Sequence, residues 1–437
     1  MPLASVLLAS VVVLKGATIH TASGPAIPSG VLIVNDGRIE KVGDASMPIP
    51  PGAKVIDVSG REIAPPFFLP ATTIGLVEID SVRGTLDVRE AGAINPEAQP
   101  EIAINFDSEL LPVARSGGVL FASVTPTGSV LPGAASVVRL DGFTREDACL
   151  KCPAAILIEW PDMKLDRSLE PKELEAKRKG RDEAIDRITH AFQDARSYQA
   201  ARTAGKERGR ISSMEAVLPV LEGKRPLMIC ALSKQQIDRA LRWVEEDLAS
   251  PGSKVILLTS SDAVSVAGKL AALKIPVILD EVLRLPQRAD EPYDVAFSAA
   301  AALVKAGVLV AIGGGTTDPA SARNLPHQAA TAVGHGLDRL VALQSITLNP
   351  AKIFGLDSVI GSLEPGKEAS FVIWSGNPLD LRSRVEALYH RGQSIDLSDR
   401  QKRLWDRYKK RPKPSVASPA VAATPIAPVT PVAPAGP

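Results

Sequence analysis

Two hydrophobic patterns divide this chain. In residues 10–43 short β-branched runs predominate. Residues 11–14 and 17–20 read as strand. Residues 31–34, the turn Asn35-Asp36-Gly37 and residues 38–42 predict a hairpin, because Asp-Gly supplies the positive-φ positions of a tight turn. A further short strand is expected over 55–58, ended by Gly60. These strands are too few to close a core alone.

From residue 64 the apolar runs become continuous rather than alternating, as parallel strands covered on both faces require. They fall at 120–124, 155–159, 227–231, 255–258, 277–279 and 308–312, with helical segments at 235–248, 263–273 and 295–306 between them. With a strand near Ile74, this makes about seven β/α units, one strand short of a (β/α)8 barrel. Residues 164–210 are highly charged, but Ile185, Ile188, Phe192 and Ala195 recur at helical spacing. That segment reads as a surface excursion or a lid. After Leu356, strands are expected at 371–374, 385–389 and 393–396, with a turn at Arg391-Gly392.

The predicted fold class is therefore α/β, a (β/α)8 TIM-like barrel inserted into a small β-sandwich. The sandwich is built from residues 1–63 and 356–398, the barrel from 64–355. Residues 399–437 are a helical end and a tail of Pro, Ala, Val and Thr that cannot bury enough surface to fold.

Composition narrows the classes. A formal charge of +1 and 4% aromatics give no reason to expect nucleic acid as a partner. Three cysteines are too few for a disulfide scaffold, and Cys149 and Cys152 read as incidental thiols. The apolar run 3–14 carries no Lys or Arg before Lys15 and is too short to span a bilayer. It reads as a truncated signal or as the first strand, so cytoplasmic and periplasmic locations both stay open.

The opening GATIHTASGPAIPSGVLIVNDGRIEKVG resembles the first β segment of the amidohydrolase superfamily, in particular its imidazolonepropionase-like and dihydroorotase-like members. ITLNPAKIFGLDSVIGSLEPGKEASFVIWSGNPL resembles that family's closing segment. The resemblance implies hydrolysis of C–N bonds in amides and cyclic amides, with divalent metal, usually zinc, at the C-terminal mouth of the barrel. It also implies ligands: an H-x-H on strand 1, a Lys or Glu on strand 4, one His each on strands 5 and 6, and an Asp on strand 8.

This chain departs from that pattern. Laid on P-G-x-I-D-x-H-x-H-x-G, Ala71 and Thr73 occupy the two His positions and Leu69 the Asp position, while Pro65 and Gly75 fit. Cys230 stands at the strand-5 position. The run 255–262 ends strand 6 in hydroxyls, with Asp262 expected to cap the following helix. Asp318 falls a few residues after the strand-8 position.

The expected site residues are thus Asp318 and His327 as catalytic groups, with Arg323, Asn324 and Glu78 binding substrate, and no metal ligands. No cofactor is expected from these residues. Glu78, Asp80, Asp87 and Glu90 offer oxygen ligands after strand 1, but alternate with Arg83 and Arg89 as a salt-bridged solvated loop would.

Three functions follow: a C–N hydrolase with a degenerate metal site, an inactive amidohydrolase-like binding or scaffold protein, and an envelope-associated interaction protein with the tail as spacer. The expected partner is a small-molecule substrate or ligand. Homo-oligomerisation is one reading. Neither nucleic acid nor a transmembrane segment is expected.

Overall fold

Sixteen strands in two sheets organise the described residues of the computed structural model, which are 11–165, 168–206, 209–248 and 252–411. The first ten residues and the Pro/Ala tail from 412 lie outside them, and with them most of the expected leader and spacer.

The first sheet holds β1 (Val12–Ile19), β2 (Ile27–Asn35), β3 (Arg38–Gly43), β4 (Lys54–Asp57) and β5 (Glu62–Ala64) from the start of the chain. It is completed from the far end by β14 (Phe371–Trp374), β15 (Val385–His390) and β16 (Gln393–Ile395). Their order is β16-β15-β14-β5-β1-β2-β3, with β4 beside β1. The two ends of the chain thus meet where β14 runs antiparallel to β5, Ile373 opposite Ile63. Leu14, Ile19, Leu32, Ile63, Phe371 and Ile373 form the core of this sheet. The expected Asp36-Gly37 turn is present, with φ of 47° and 70°.

The second sheet is the barrel. Its strands are β6 (Phe67–Thr72), β7 (Val119–Val124), β8 (Gly133–Arg139), β9 (Cys149–Glu159), β10 (Leu227–Cys230), β11 (Val255–Thr259), β12 (Val277–Leu279) and β13 (Val310–Ile312), in that order around the ring. Thr73 N–H donates to Thr316 O at 3.0 Å and nearly closes the ring between the first and last strands. The strand missing from the sequence reading is β8. It runs antiparallel to both neighbours, returning from β7 without a helix and reaching β9 through only the one-turn segment Arg145–Ala148. The barrel is therefore regular only from β9 onward.

The helices are α1 (Leu110–Ser116), α2 (Arg145–Ala148), α3 (Pro171–Thr203), α4 (Ser212–Leu221), α5 (Lys234–Trp243), α6 (Ala267–Ala272), α7 (Val295–Lys305), α8 (Leu325–Gly334), α9 (Arg339–Ser345), α10 (Leu348–Ile353) and α11 (Arg400–Tyr408). The charged segment is α3, and it buries Ile185, Ile188, Phe192, Ala195 and Tyr198. Phe192 packs edge-on against Trp243 of α5, and Arg196 donates to the carbonyls of Asp247 and Leu248. These contacts fasten this half of α3 to α5 and the turn that follows it. The chain divides into two compact units after Asp399, and α11, in the second, buries no residue.

Two expectations are corrected. Cys149 and Cys152 are bonded to each other, not free. A bulge where β9 meets β8 brings the two side chains together, which the extended spacing of a regular strand would not. Along the loop after β6, Glu78, Asp80, Arg83, Asp87, Arg89 and Glu90 form no ion pairs among the described residues. The loop is held instead by backbone bonds such as Asp87 N–H to Leu76 O at 2.8 Å.

Candidate functional site

In a barrel of parallel strands the chemistry sits where the strands end, because the βα loops there can vary without disturbing the core. The ends of β6 to β13 supply few charged groups here. Ala71 and Thr73 are 1% and 2% exposed. A methyl group is no ligand, and Thr73 donates both its N–H and its hydroxyl to Thr316 O, at 3.0 and 3.2 Å. The hydroxyls around the ring point the same way, to strand-end carbonyls. Thr125 donates to Thr72 O at 3.3 Å, Thr259 to Ala231 O at 2.6 Å and Ser260 to Leu232 O at 2.5 Å. Each such bond ties one strand end to its neighbour.

Three further groups stand at the mouth. Asp280 follows β12 and accepts from both the N–H of Thr316, at 2.7 Å, and its hydroxyl. Gly313 has to be glycine for this approach, since a Cβ there would lie 2.7 Å from Asp280 O. Glu159 ends β9 and accepts from Gly128 N–H at 2.9 Å, anchoring the β7–β8 hairpin. Cys230 ends β10 in register with Glu159. Burial, then the charges of Glu159 and Asp280, pushes its thiol well above the usual range. At neutral pH it stays protonated, and a protonated thiol is a poor nucleophile.

Sequence reasoning missed Glu159 and Asp280, although each directly follows a continuous apolar run and so must stand at the mouth of a parallel barrel. Glu159 matches the strand-4 position at which the resemblance implies a Lys or Glu.

Burial pushes the Glu159 carboxyl above its ordinary value near 4.5, against the Gly128 hydrogen bond. A raised folded pKa means that stability is fully present below the unfolded value and is lost as pH rises through the folded one. Glu159→Gln is therefore expected to melt higher than the parent at pH 7.5, by roughly 1–2 °C, and to match it at pH 4 and below. Melting curves at the two pH values check this. An equal gain at both would mean that the glutamate's charge is not the cost.

The zinc that the resemblance implies requires three or four converging nitrogen, sulfur or carboxylate ligands. Among the described residues no three His, Cys, Asp or Glu side chains are grouped to hold an ion. The hydroxyls are donated elsewhere, one oxygen of Asp280 holds Thr316, and Cys230 is a single thiol. The residues present do not fit the metal.

The expected site residues are dispersed. Asp318 is exposed, accepts from the Ser321 hydroxyl, and lies near enough to Glu281 to help burial and Asp280 raise that carboxyl. Glu78, in the loop after β6, accepts from Asn105 at 3.3 Å. Arg323 is exposed, its backbone against Gly117 beside α1, and Asn324 stands at the N-terminus of α8. His327 lines an outer groove with Thr331, Arg339 and Leu379, and burial lowers its pKa. The structure does not gather these five around one point.

Asp262 is corrected as well. It caps the preceding helix rather than the following one, accepting from Lys234 N–H of α5 at 2.9 Å and from both Arg288 nitrogens at 3.0 and 3.1 Å. Burial alone would raise its pKa, but these partners outweigh it and hold the carboxyl low. It fastens together the loops that follow β10, β11 and β12. Among them lies a cavity of about 850 Å³, whose lining includes Lys164, Gln235, Asp262, Arg284 and Arg288.

A family model described as the amidohydrolase family matches residues 237–401. The solved structure of an amidohydrolase from Thermotoga maritima MSB8 is 28% identical and superposes with a TM-score of 0.77, over 88% of this chain and 99% of that one. The chain is similar to the amidohydrolase superfamily in its fold and, over 237–401, in its sequence. Adenine deaminase 1 of Jannaschia sp. (strain CCS1) is 40% identical over 65 residues, 15% of this chain. That match spans only 10% of the curated relative's length. The zinc-bound structure of an adenosine deaminase from Xanthomonas campestris is 14% identical with a TM-score of 0.50, over 92% of this chain and 97% of that one, a likeness of fold alone. No helix among the described residues is long and apolar enough to cross a membrane.

Proposed function

We propose that this amidohydrolase-like chain is a small-molecule binding protein that does not carry out the family's metal-assisted hydrolysis. The observation that carries the reading is the state of the mouth. Its hydroxyls and Asp280 are bonded to neighbouring strand ends, and its thiol is held neutral. The hydroxyls and Asp280 already hold neighbouring strand ends, and among the described residues no group of three ligands converges there to bind metal and activate water. The cavity of about 850 Å³ among the loops after β10, β11 and β12 is where a ligand would sit, at a size usual for small-molecule sites.

The second reading is a hydrolase of C–N bonds with an altered site. It is supported by the 28% identity to the Thermotoga amidohydrolase and by Glu159 beside Cys230. In that reading Asp318 moves the proton, His327 assists, and Arg323, Asn324 and Glu78 hold the substrate.

Elemental analysis of the purified, dialysed protein separates the two. It is expected to find less than about 0.2 equivalents of Zn, Mn or Fe. Stoichiometric metal that survives dialysis would overturn the binding reading. Asp318→Asn should then abolish turnover of a cyclic amide, and an unchanged rate would remove Asp318 from the mechanism.

A further inference from the structure

The opposite face of the barrel carries a feature unrelated to the mouth. The N-terminal ends of β10 to β13 frame a groove of about 830 Å³. Leu273, Leu309 and Ile353 line it, and the two leucines are 41% and 37% exposed. Lys254, Lys274 and Lys352 line it too, all exposed and none in an ion pair among the described residues. The one acid in the lining, Glu245, is bound by Lys269 at 2.9 Å.

Behind this lining are two further cations. Lys151 donates to Phe354 O at 2.7 Å and Arg225 to Ala216 O at 3.2 Å, so both are held by carbonyls rather than by carboxylates. Burial, then the charges of Lys254 and Arg225, lowers the pKa of Lys151, as an uncompensated positive face should. An apolar lining under unpaired ammonium groups calls for a ligand with the converse layout.

We propose that this groove binds an amphiphilic anion. A single alkyl chain lies along Leu273, Leu309 and Ile353, and its carboxylate or phosphate head is held by Lys254, Lys274 and Lys352. The concave shape favours a discrete molecule over a flat bilayer, which could touch the rim but not fill the groove. No mouth residue lines it, so the proposal stands or falls independently of the mouth's function.

The test is calorimetric titration of the full chain with dodecanoate and with dodecyl phosphate below their micellar concentrations. Dodecyl maltoside, with the same chain and no charge, is the control. Saturable binding of one or both anions is expected, and which head binds tighter identifies the source. The maltoside is expected to bind about tenfold more weakly or not at all, since it offers the rim ammonium groups no charge. The double variant Lys254→Gln/Lys352→Gln should lose about tenfold, since it removes two of those groups. Lys274, with a backbone φ of 53°, is left intact.

A measurement on the unaltered protein guards against a variant that fails to fold. Affinity should fall when salt rises from about 50 to about 500 mM. Equal binding of the maltoside, an affinity indifferent to salt, a folded double variant that binds as the parent does, or association with anionic vesicles but not with the monomeric anions would each overturn the proposal.

Discussion

Phe68→Ala is expected to destabilise the protein by about 3–5 kcal/mol, the largest effect of any single truncation considered. Phe68 is fully buried in β6, the strand whose six residues are all buried. Its ring stacks on Phe354 at 5.8 Å and meets Phe121 of β7 edge-on at 6.2 Å. Phe354 caps the C-terminus of α10, so one side chain joins β6, β7 and the end of α10. Its backbone N–H also donates to Ile346 O at 2.7 Å. Truncation leaves a cavity bordered by rings on different elements, which cannot all move inward together. Chemical denaturation measures the loss, and Phe68→Leu should recover more than half of it, since only part of the volume goes. A cost below about 1 kcal/mol for the alanine would show that the site collapses freely.

The second large effect is expected at Gly118, in the turn between α1 and β7. Its φ is +85°, and a Cβ would lie 2.6 Å from Trp374 Cζ2 and 3.3 Å from Phe67 Cδ2. Trp374 belongs to β14 of the other sheet and packs on Phe67 with ring centroids 5.3 Å apart. Gly118 is thus the point where the barrel's first two strands admit the tryptophan of the terminal sheet. Gly118→Ala combines a left-handed backbone cost of about 1 kcal/mol with a clash against a ring that is 3% exposed. The expected sum is about 2–4 kcal/mol, read as a lower melting temperature. Gly60→Ala is the control, because its φ is +75° and nothing lies within 4 Å of the added carbon. It should show the backbone cost alone. Equal losses at the two positions would mean that the contact with Trp374 contributes nothing.

The continuous apolar runs from β9 onward were legible because parallel strands covered on both faces leave no other pattern. The Asp36-Gly37 hairpin and the three closing strands were legible through turn chemistry. β8 was not. Gly133-Ala-Ala-Ser136 is small and only partly apolar, and it packs as a hairpin return rather than a β/α unit. The Cys149–Cys152 bond was missed for a related reason, since it depends on a bulge set by β8. At the mouth, the loss of the His pair was plain in Ala71 and Thr73, and the carboxylates after β9 and β12 could have been found by position alone. Their partners could not. That Asp280 is taken by Thr316, and Glu159 by Gly128, follows from loops more than thirty residues away in sequence.

By itself, then, the sequence determined the barrel-forming runs, the strands from its two ends and the absence of the histidine ligands. Side-chain period and residue chemistry are local properties, and they survive without knowledge of neighbours. Only the tertiary structure decided that Cys230 stays neutral, that the hydroxyls at the mouth fasten strand to strand, and that Lys254, Lys274 and Lys352 share one groove. Burial, electrostatic fields and hydrogen-bond partners arise from residues far apart in the chain, and no linear pattern carries them.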